Sequence, residues 1–229
     1  MAAMTQFVDK LTKEYAPSMA HRRGRFWLIL ATCLLLGACA PRSMPLFNGK
    51  DLDGWTKVGG DATYTVVDGT IIGTRGPGPN TFLRTNDTYD DFILQLEFKW
   101  NQPINSGVQF RSHQREEDGR VSGYQCELDP SDRGWTGGLY DEAGRGWLVS
   151  LKDDPKAMAA VTNIDHWNQM RIEARGDHLQ TWVNGVPCAQ LTDTNAHTGF
   201  IALQVHSATE PGQICWRRIH ITPLQSKSE

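Results

Sequence analysis

The chain has 229 residues, of which 39% are hydrophobic and 21% charged, a composition typical of a globular protein with one large or two small domains. Its net charge of −3 at pH 7 excludes the basic surface expected of a nucleic-acid-binding protein. The 22 glycines and 8 tryptophans favour glycine-rich turns between short aromatic strands, so we expect an all-β chain.

The N-terminal region carries the pattern of an export signal. A basic stretch follows Met19, and an apolar run extends from Phe26 to Leu36. This run is shorter than the roughly 20 residues that a membrane-spanning helix needs, and its length and flanks are typical of a secretory signal peptide. We therefore expect translation to start at Met19 and residues 1–38 to form the signal segment.

The signal ends in Leu-Gly-Ala-Cys at residues 36–39, which resembles the bacterial lipobox, where the chain is cut before a cysteine that receives lipid. The resemblance implies that Cys39 is lipidated and that residues 39–44 form a short tether. Ala40 stands where an inner-membrane retention signal has aspartate, which implies export to the outer membrane, facing the periplasm or the cell surface. Cleavage of a simple secretory peptide near residues 38–40 is the alternative.

Strands separated by turn residues follow from residue 45. Phe47 and Trp55 flank an Asn-Gly turn and are expected to be buried. Hairpin turns are predicted at Asp68-Gly69, Gly176-Asp177 and Asn184-Gly185. Further strands are predicted at residues 92–100, 106–113, 199–207 and 214–224, and residues 153–161 are predicted to form one or two helical turns.

Many short antiparallel strands over about 180 residues predict a two-sheet sandwich or jelly roll. The sequence shows no linker and no repeat of fixed period between residues 45 and 224. We therefore expect one domain over residues 45–224, followed by a tail at residues 225–229.

Three cysteines remain in the mature domain, namely Cys126, Cys188 and Cys215. An odd number in an exported protein permits at most one internal disulfide. Their spacing does not match a C-x-x-C metal site, so we expect small buried residues in strands.

Three of the predicted strands carry unusual polar residues on the face opposite their apolar residues. These residues are Gln109 and Arg111; Gln125, Glu127 and Asp129; and Gln204 and His206. If the strands are neighbours in one sheet, these side chains form a polar floor. Residues two apart lie about 6.6–6.8 Å apart along a strand, so Glu127 and Asp129 are close enough to influence each other's ionisation.

The strand that carries Gln125, Glu127 and Asp129 is called the acidic strand below. The segment after it is predicted to be a loop that adds Trp135, Tyr140, Arg145 and Trp147. Aromatic rings beside carboxylates and amides are typical of sugar sites. The alternatives are solvated surface charges, ion pairs or hydrogen bonds within the scaffold, and aromatic packing in the core.

An ordered series of motifs runs through the mature chain. The motifs are LFNGKDLDGW, NSGVQFRS, GYQCELDP, WTGGLYD, HWNQMRIEARGDHLQTWVNG, GFIALQVHS and RRIHITPL. Together they resemble the 3-keto-glycoside hydrolase family, also described as 3-keto-glucoside 1,2-lyase and 3-keto-2-hydroxyglucal hydratase. The resemblance spans about residues 45–224 and implies an all-β, two-sheet antiparallel jelly-roll sandwich of the concanavalin A-like lectin and glucanase type.

The resemblance implies a carbohydrate-active enzyme that cleaves 3-keto-glycosides by elimination across C1 and C2, by hydration, or by both. A ketone at C3 acidifies the C2 proton, so the reaction needs a base, an acid for the leaving oxygen and support for the enolate. Glu127 or Asp129 is expected to be the base, and His206 or Tyr140 the acid. Arg111 is expected to hold the enolate or to orient the carboxylates.

Further residues are expected to bind the small carbohydrate substrate. They are Gln109, Gln125, Gln204, Trp135, Arg145 and Trp147. A divalent metal bridging Glu127, Asp129 and His206 is a further hypothesis, because oxygen and imidazole ligands suit several ions. The oxidised sugar also implies a partner dehydrogenase in the pathway.

Two other functions compete with this interpretation. The sequence ELDPSD has the spacing of the E-x-D-x-x-E strand of laminarinase-like glycoside hydrolases, with Asp132 in place of the last glutamate and Pro130 interrupting the strand. A lipid-anchored carbohydrate-binding module would use the same floor without turnover.

Overall fold

The computed structural model describes residues 42–225, which form fifteen strands and one short helix. The strands are β1 (Met44–Pro45), β2 (Trp55–Gly59), β3 (Thr63–Val67), β4 (Thr70–Thr74), β5 (Thr81–Thr85), β6 (Phe92–Gln102), β7 (Ser106–Gln114), β8 (Val121–Leu128), β9 (Leu139–Glu142), β10 (Gly146–Val149), β11 (Asn168–Arg175), β12 (His178–Val183), β13 (Val186–Thr192), β14 (Phe200–Val205) and β15 (Gln213–Pro223). The helix is α1 (Pro155–Met158). The predicted start at Met19, the signal segment, the lipobox with Cys39 and most of the tail lie outside the described residues. Within residues 42–225, no helix is long and apolar enough to cross a membrane.

Two antiparallel sheets form a sandwich, which confirms the predicted all-β jelly-roll class. One sheet has the order β13-β12-β11-β6-β15-β4-β3, with β1 paired to β15. The other, which we call the site sheet, has the order β10-β9-β8-β7-β14-β5-β2.

The core lies between the sheets and follows the predicted alternation. In β6, Phe92, Leu94, Leu96, Phe98 and Trp100 are buried, while the residues between them are exposed or half-buried. Each large apolar side chain buried in this way contributes roughly 1.5–3 kcal/mol. The same alternation directs every second residue of the site sheet away from the core.

The predicted hairpin turns are confirmed. Val67 pairs with Thr70 around Asp68-Gly69, whose φ angles are +47° and +72°. Val183 pairs with Val186 around Asn184-Gly185, with φ angles of +50° and +78°. Two consecutive residues with positive φ angles fit a type I′ turn, whose twist matches that of the paired strands.

The predicted helical segment is a single turn. Asp154 precedes it, and its side chain accepts a hydrogen bond from the Ala157 backbone N–H at 2.9 Å. Pro155 opens the helix, where its missing N–H costs nothing.

The prediction of a loop after the acidic strand is wrong in part, because this segment contains β9 and β10. Both strands are only four residues long and are joined by a tight turn in which Ala143 has a φ of +51°. Strands this short show too few alternations to be recognised against a glycine-rich background. They add two strands to the site sheet beside β8.

The predicted burial of the cysteines holds for Cys126 and Cys215, while Cys188 is half-buried. None of these three thiols forms a disulfide.

Candidate functional site

The strands β8, β7 and β14 are neighbours in the site sheet, as a polar floor requires. Gly107 of β7 is paired with Glu127 on one side and with Gln204 on the other. A Cβ atom at Gly107 would lie 2.3 Å from the side-chain Cδ of Gln125. The glycine therefore leaves the space in which the Gln125 amide lies.

A cavity of about 250 Å³ opens on this floor, and we call it the site cavity. Its lining residues are Asn80, Asn105, Gln125, Glu127, Arg133, Tyr140, Glu142, Trp147 and His206. The volume is below the roughly 300–1,000 Å³ of pockets for drug-sized ligands, so it suits one sugar ring. Of the predicted site residues, Gln125, Glu127, Tyr140, Trp147 and His206 meet here.

Glu127 is 4% exposed and accepts hydrogen bonds from the side-chain amides of Asn105 at 2.5 Å and Gln125 at 2.9 Å. Burial raises the pKa of the Glu127 carboxyl, and the nearby charge of Asp129 adds to the rise. The two amide donors and Arg133 oppose it. Glu127 is thus a carboxylate of increased basicity facing a cavity.

A chain of hydrogen bonds orients the Gln125 side-chain amide that donates to Glu127. Ser112 donates to Gln109 at 2.8 Å, Gln109 donates to Gln125 at 2.5 Å, and Gln125 donates to Glu127. Gln109 is completely buried and does not line the site cavity. Its predicted contact with substrate is therefore corrected to a positioning role behind Gln125.

The second buried carboxyl of the site cavity is Glu142, which the sequence analysis missed. It ends β9 opposite Gly123 of β8 and accepts hydrogen bonds from Asn80 and Gln204, each at 3.2 Å. Burial raises its pKa as well, against the effect of these two donors. Gln204 is wholly buried and does not line the cavity, so it supports Glu142 instead of contacting substrate as predicted.

The raised pKa of Glu127 predicts a pH-dependent stability. The folded protein binds the proton of the Glu127 carboxyl more tightly than the unfolded chain does, where the pKa of glutamate is about 4.3. The stabilising contribution is therefore complete below that pH and is lost as the pH rises through the pKa of the folded state. We expect Glu127→Gln to become progressively more stable relative to wild type from pH 4 to pH 8, measured by urea unfolding. A constant difference between the two proteins across this range would contradict the raised pKa.

The cation of the site cavity is Arg133, which the sequence analysis also missed. Its Nε donates to Asp129 Oδ2 at 2.7 Å, and its Nη2 lies 3.6 Å from Glu127 Oε1. The guanidinium lies over the rings of Trp135 at 4.5 Å and Trp147 at 5.2 Å. These contacts hold a positive charge at the cavity wall although the side chain is 42% exposed.

Asp129 has a different place from the one predicted. The strand β8 ends at Leu128, and the Asp129 carboxylate accepts hydrogen bonds from Ser131 and Arg133. It does not line the site cavity. Because Pro130 lacks the N–H that would extend β8, the chain turns and brings Arg133 back over Asp129. Asp129 thus positions Arg133.

The prediction that Arg111 belongs to the floor is wrong. The pairing of β7 with β8 shifts register between Phe110 and His113, and Arg111 has a φ of +47° in this bulge. A bulge resets the alternation of side chains, so the phase counted from Gln109 no longer applies. The buried guanidinium instead donates to the carbonyls of Asp90, Gly176 and Ala196 and pairs with Asp91 at 2.8 Å.

Arg111 is therefore expected to stabilise the fold. Arg111→Met removes the cation that joins three loops to β7 and leaves the buried carbonyls and the Asp91 carboxylate without the guanidinium, which is expected to cost about 3–5 kcal/mol of unfolding free energy. Urea unfolding measures the loss. The matched control Arg115→Met removes a surface ion pair and is expected to change stability by about 1 kcal/mol or less. Equal stability of the Arg111 variant and wild type would show that the buried contacts are not needed.

Arg145 is also outside the site cavity. It pairs with Asp141 and with Asp193, each at 2.6 Å. Tyr140 and Glu142 of β9 point to the site cavity, and Asp141 lies between them in the sequence. The ion pair of Asp141 therefore lies on the side of the strand away from the cavity. The prediction that Arg145 contacts substrate is corrected to a structural ion pair.

The aromatic side chains divide between the cavity wall and its support. Tyr140 and Trp147 line the cavity, with ring centroids 5.3 Å apart. Trp135 does not line it but packs edge-on against Trp147 at 4.7 Å. The predicted sugar contact of Trp135 is therefore corrected to support of Trp147.

His206 lies in the site cavity as predicted. Burial lowers the pKa of its imidazole, and the charge of Arg75 adds to this effect. The ring is therefore neutral near pH 7 and can donate or accept a hydrogen bond.

The three ligands of the hypothetical metal do not converge. Glu127 and His206 line the site cavity, but the Asp129 carboxylate is engaged by Ser131 and Arg133. In the described part of the chain, no group of three or more His, Cys, Asp or Glu side chains is arranged to hold a metal ion. The residues present do not fit the bridging metal.

A family model described as a 3-keto-alpha-glucoside-1,2-lyase-like domain matches residues 42–222. This range includes every residue of the site cavity. No curated protein matches the chain.

Solved structures with the same fold have little sequence in common with the chain. A candidate glycosyl hydrolase from Parabacteroides distasonis ATCC 8503 is 19% identical with a TM-score of 0.59, covering 80% of this chain and 94% of that chain. The carbohydrate-binding module CBM66 from Bacillus subtilis is 14% identical with a TM-score of 0.55, covering 74% and 95%. The Bacillus licheniformis β-glucanase is 12% identical with a TM-score of 0.53, covering 82% and 100%. At these identities the three structures support the jelly-roll fold alone.

Proposed function

Because the chain belongs to the family of 3-keto-alpha-glucoside-1,2-lyase-like domains, we propose that it cleaves 3-keto-glycosides in the site cavity. The observation that carries the proposal is a pair of buried carboxyl groups, Glu127 and Glu142, that line one cavity and both have raised pKa values. Buried acids with shifted pKa values are typical of general acid–base catalysis.

Glu127 is the proposed base. Its two amide donors lie at 2.5 and 2.9 Å, and the Arg133 cation is 3.6 Å away. These contacts favour the charged carboxylate, while burial increases its basicity. Glu127 would remove the proton from C2, which the adjacent C3 ketone acidifies.

Glu142 is the proposed acid, in preference to His206 or Tyr140. The hydrogen bonds that Glu142 accepts are longer than those of Glu127, both at 3.2 Å. Among the described residues, none forms a direct ion pair with Glu142. These weaker contacts leave Glu142 as the carboxyl that keeps its proton. The lowered pKa of His206 makes the imidazole a poor acid at neutral pH. Glu142 would give its proton to the leaving oxygen as the C1–O bond breaks.

Arg133 and the amides of the cavity supply the remaining support. Electron density moves from the C2–H bond toward the C3 oxygen, and a cation fixed beforehand stabilises that charge without reorganisation. Tyr140 and Trp147 offer ring faces to the C–H groups of the sugar. Elimination gives a 2-hydroxy enone and the free aglycone, and addition of water at C1 completes net hydrolysis.

The proposal is tested by following aglycone release from a glucoside and from its 3-keto form. Release from the keto sugar alone supports it, since only the ketone makes the C2 proton acidic. Equal release from the plain glucoside would instead favour ordinary glycoside hydrolysis. The laminarinase-like pattern on a single strand lacks its last carboxylate, because Asp132 lies in the exposed turn beyond β8 and does not line the cavity.

A carbohydrate-binding module is the second candidate, favoured by the fold shared with CBM66. Such a module would use Tyr140, Trp147 and the amides for binding and would not need two acids of raised pKa. Saturable binding of the 3-keto-glycoside without release of aglycone would establish it.

We also propose that the domain is held at the outer membrane by lipid on Cys39 and receives its oxidised substrate from a dehydrogenase acting at the C3 hydroxyl. The lipid anchor is inferred from the sequence of residues 19–39 alone. Cys39→Ala is expected to abolish incorporation of labelled palmitate and to release the domain from the membrane fraction. Cys33→Ala, within the apolar run, is the matched control and should keep the label. Labelling that survives Cys39→Ala would exclude this anchor.

A further inference from the structure

A second cavity of about 610 Å³ adjoins the site cavity. Asn80, Glu142 and His206 line both spaces. The shared lining residues make the two cavities adjacent compartments, and Glu142 lies at their boundary. The second compartment has more than twice the volume of the first, so it can hold a group larger than one sugar ring.

The second compartment has an apolar floor. Phe82 of β5 and Val121 of β8 line it and belong to a small apolar cluster with Phe200 and Ala202 that is separate from the main core. Pro79 extends the apolar wall. The described residues that line this space include no tryptophan or tyrosine, whereas the site cavity has one of each.

The rim of the second compartment is polar and charged. Arg120 and Asp118 come from the turn between β7 and β8, and Ser207 follows His206. Arg120 lies close enough for its charge to oppose the raised pKa of Glu142. A cation near the shared carboxyl would also favour negative charge on an oxygen that departs there.

We propose that the second compartment is the aglycone subsite and that it takes an aromatic, largely apolar aglycone in preference to a second sugar. This inference rests on the proposed function, which puts the keto sugar in the site cavity. The glycosidic oxygen then lies beside Glu142 at the junction, and the aglycone extends over Phe82 and Val121. When the C1–O bond breaks, its electron pair stays on the aglycone oxygen, which takes the Glu142 proton and leaves as a phenol.

Equilibrium binding tests the subsite without turnover. The Glu127→Gln protein is titrated with the 3-keto forms of 4-nitrophenyl α-glucoside and methyl α-glucoside, so that both ligands stay intact. Burial of an aryl ring on the apolar floor is expected to make the 4-nitrophenyl ligand bind at least about tenfold more tightly. Equal dissociation constants for the two ligands would overturn the inference, whatever the effect of any further substitution.

Val121→Asn, added to the same protein, is expected to reduce the aryl preference to about twofold or less by placing an amide on the apolar floor. Val67→Asn is the matched control, because Val67 is exposed at the end of β3 in the other sheet. Thermal melts verify that each variant is folded. An aryl preference that survives in folded Val121→Asn would also overturn the inference.

The same ligands separate this inference from the proposed function. Wild type that binds the aryl ligand preferentially but releases no nitrophenol would overturn the proposed function and support the subsite. Wild type that cleaves both ligands and binds them equally would support the proposed function and overturn the subsite.

Discussion

Replacing Glu127 with glutamine is expected to lower kcat/KM for a 3-keto-α-glucoside by about 10²–10⁴-fold, the contribution typical of general base catalysis. The amide keeps the size of the side chain but cannot accept the C2 proton. The fold should persist, because the change removes a buried charge whose carboxyl pKa is raised by burial. Steady-state release of aglycone measures the loss of kcat/KM. This loss should be similar for aglycones that are good and poor leaving groups.

Glu117→Gln makes the same chemical change at an exposed position in the β7–β8 turn and should retain wild-type activity. Circular dichroism verifies that both variants are folded. If the folded Glu127 variant retained more than about a tenth of wild-type activity, Glu127 would not be the base.

Replacing Glu142 with glutamine is expected to have an effect that depends on the leaving group. With a methyl aglycone, whose oxygen needs a proton to depart, kcat should fall by about 10²–10⁴-fold. With a 4-nitrophenyl aglycone the oxygen leaves as a stabilised phenolate, so the loss should be much smaller. Proton removal by Glu127 should continue, and the methyl substrate should therefore exchange its C2 hydrogen for deuterium in D2O without being cleaved.

Glu127→Gln is the natural control for this experiment, because it should block both the exchange and the cleavage. Equal losses of the Glu142 variant with both aglycones would assign Glu142 a role in binding or folding. Absence of C2 exchange in that variant would place the base function on Glu142 itself.

Long alternating strands made much of this molecule predictable from its sequence. The run from Phe92 to Trp100 and the turns at Asp68-Gly69 and Asn184-Gly185 carry strong local signals, and they define the sandwich. Counting by twos along β8 also placed Gln125 and Glu127 on the open face, where they line the site cavity.

The errors arise where local geometry interrupts that period. Arg111 lies in a bulge that turns its side chain into a buried ion pair with Asp91, and an alternation pattern cannot reveal such a shift. Glu142 was missed because β9 is only four residues long. Arg133 belongs to no strand, and its contacts with Asp129, Trp135 and Trp147 bring it to the cavity.

A crystal structure of the Glu127→Gln, Glu142→Gln double variant with an intact 3-keto-α-glucoside would test the division of roles most directly. We expect the sugar ring beside Tyr140 and Trp147, with C2 within about 3–3.5 Å of the amide at position 127, the distance of a reactive approach. The glycosidic oxygen should lie within hydrogen-bonding distance of the amide at position 142. A sugar bound outside the site cavity, or one with its glycosidic oxygen at position 127 and C2 at position 142, would contradict the proposed mechanism.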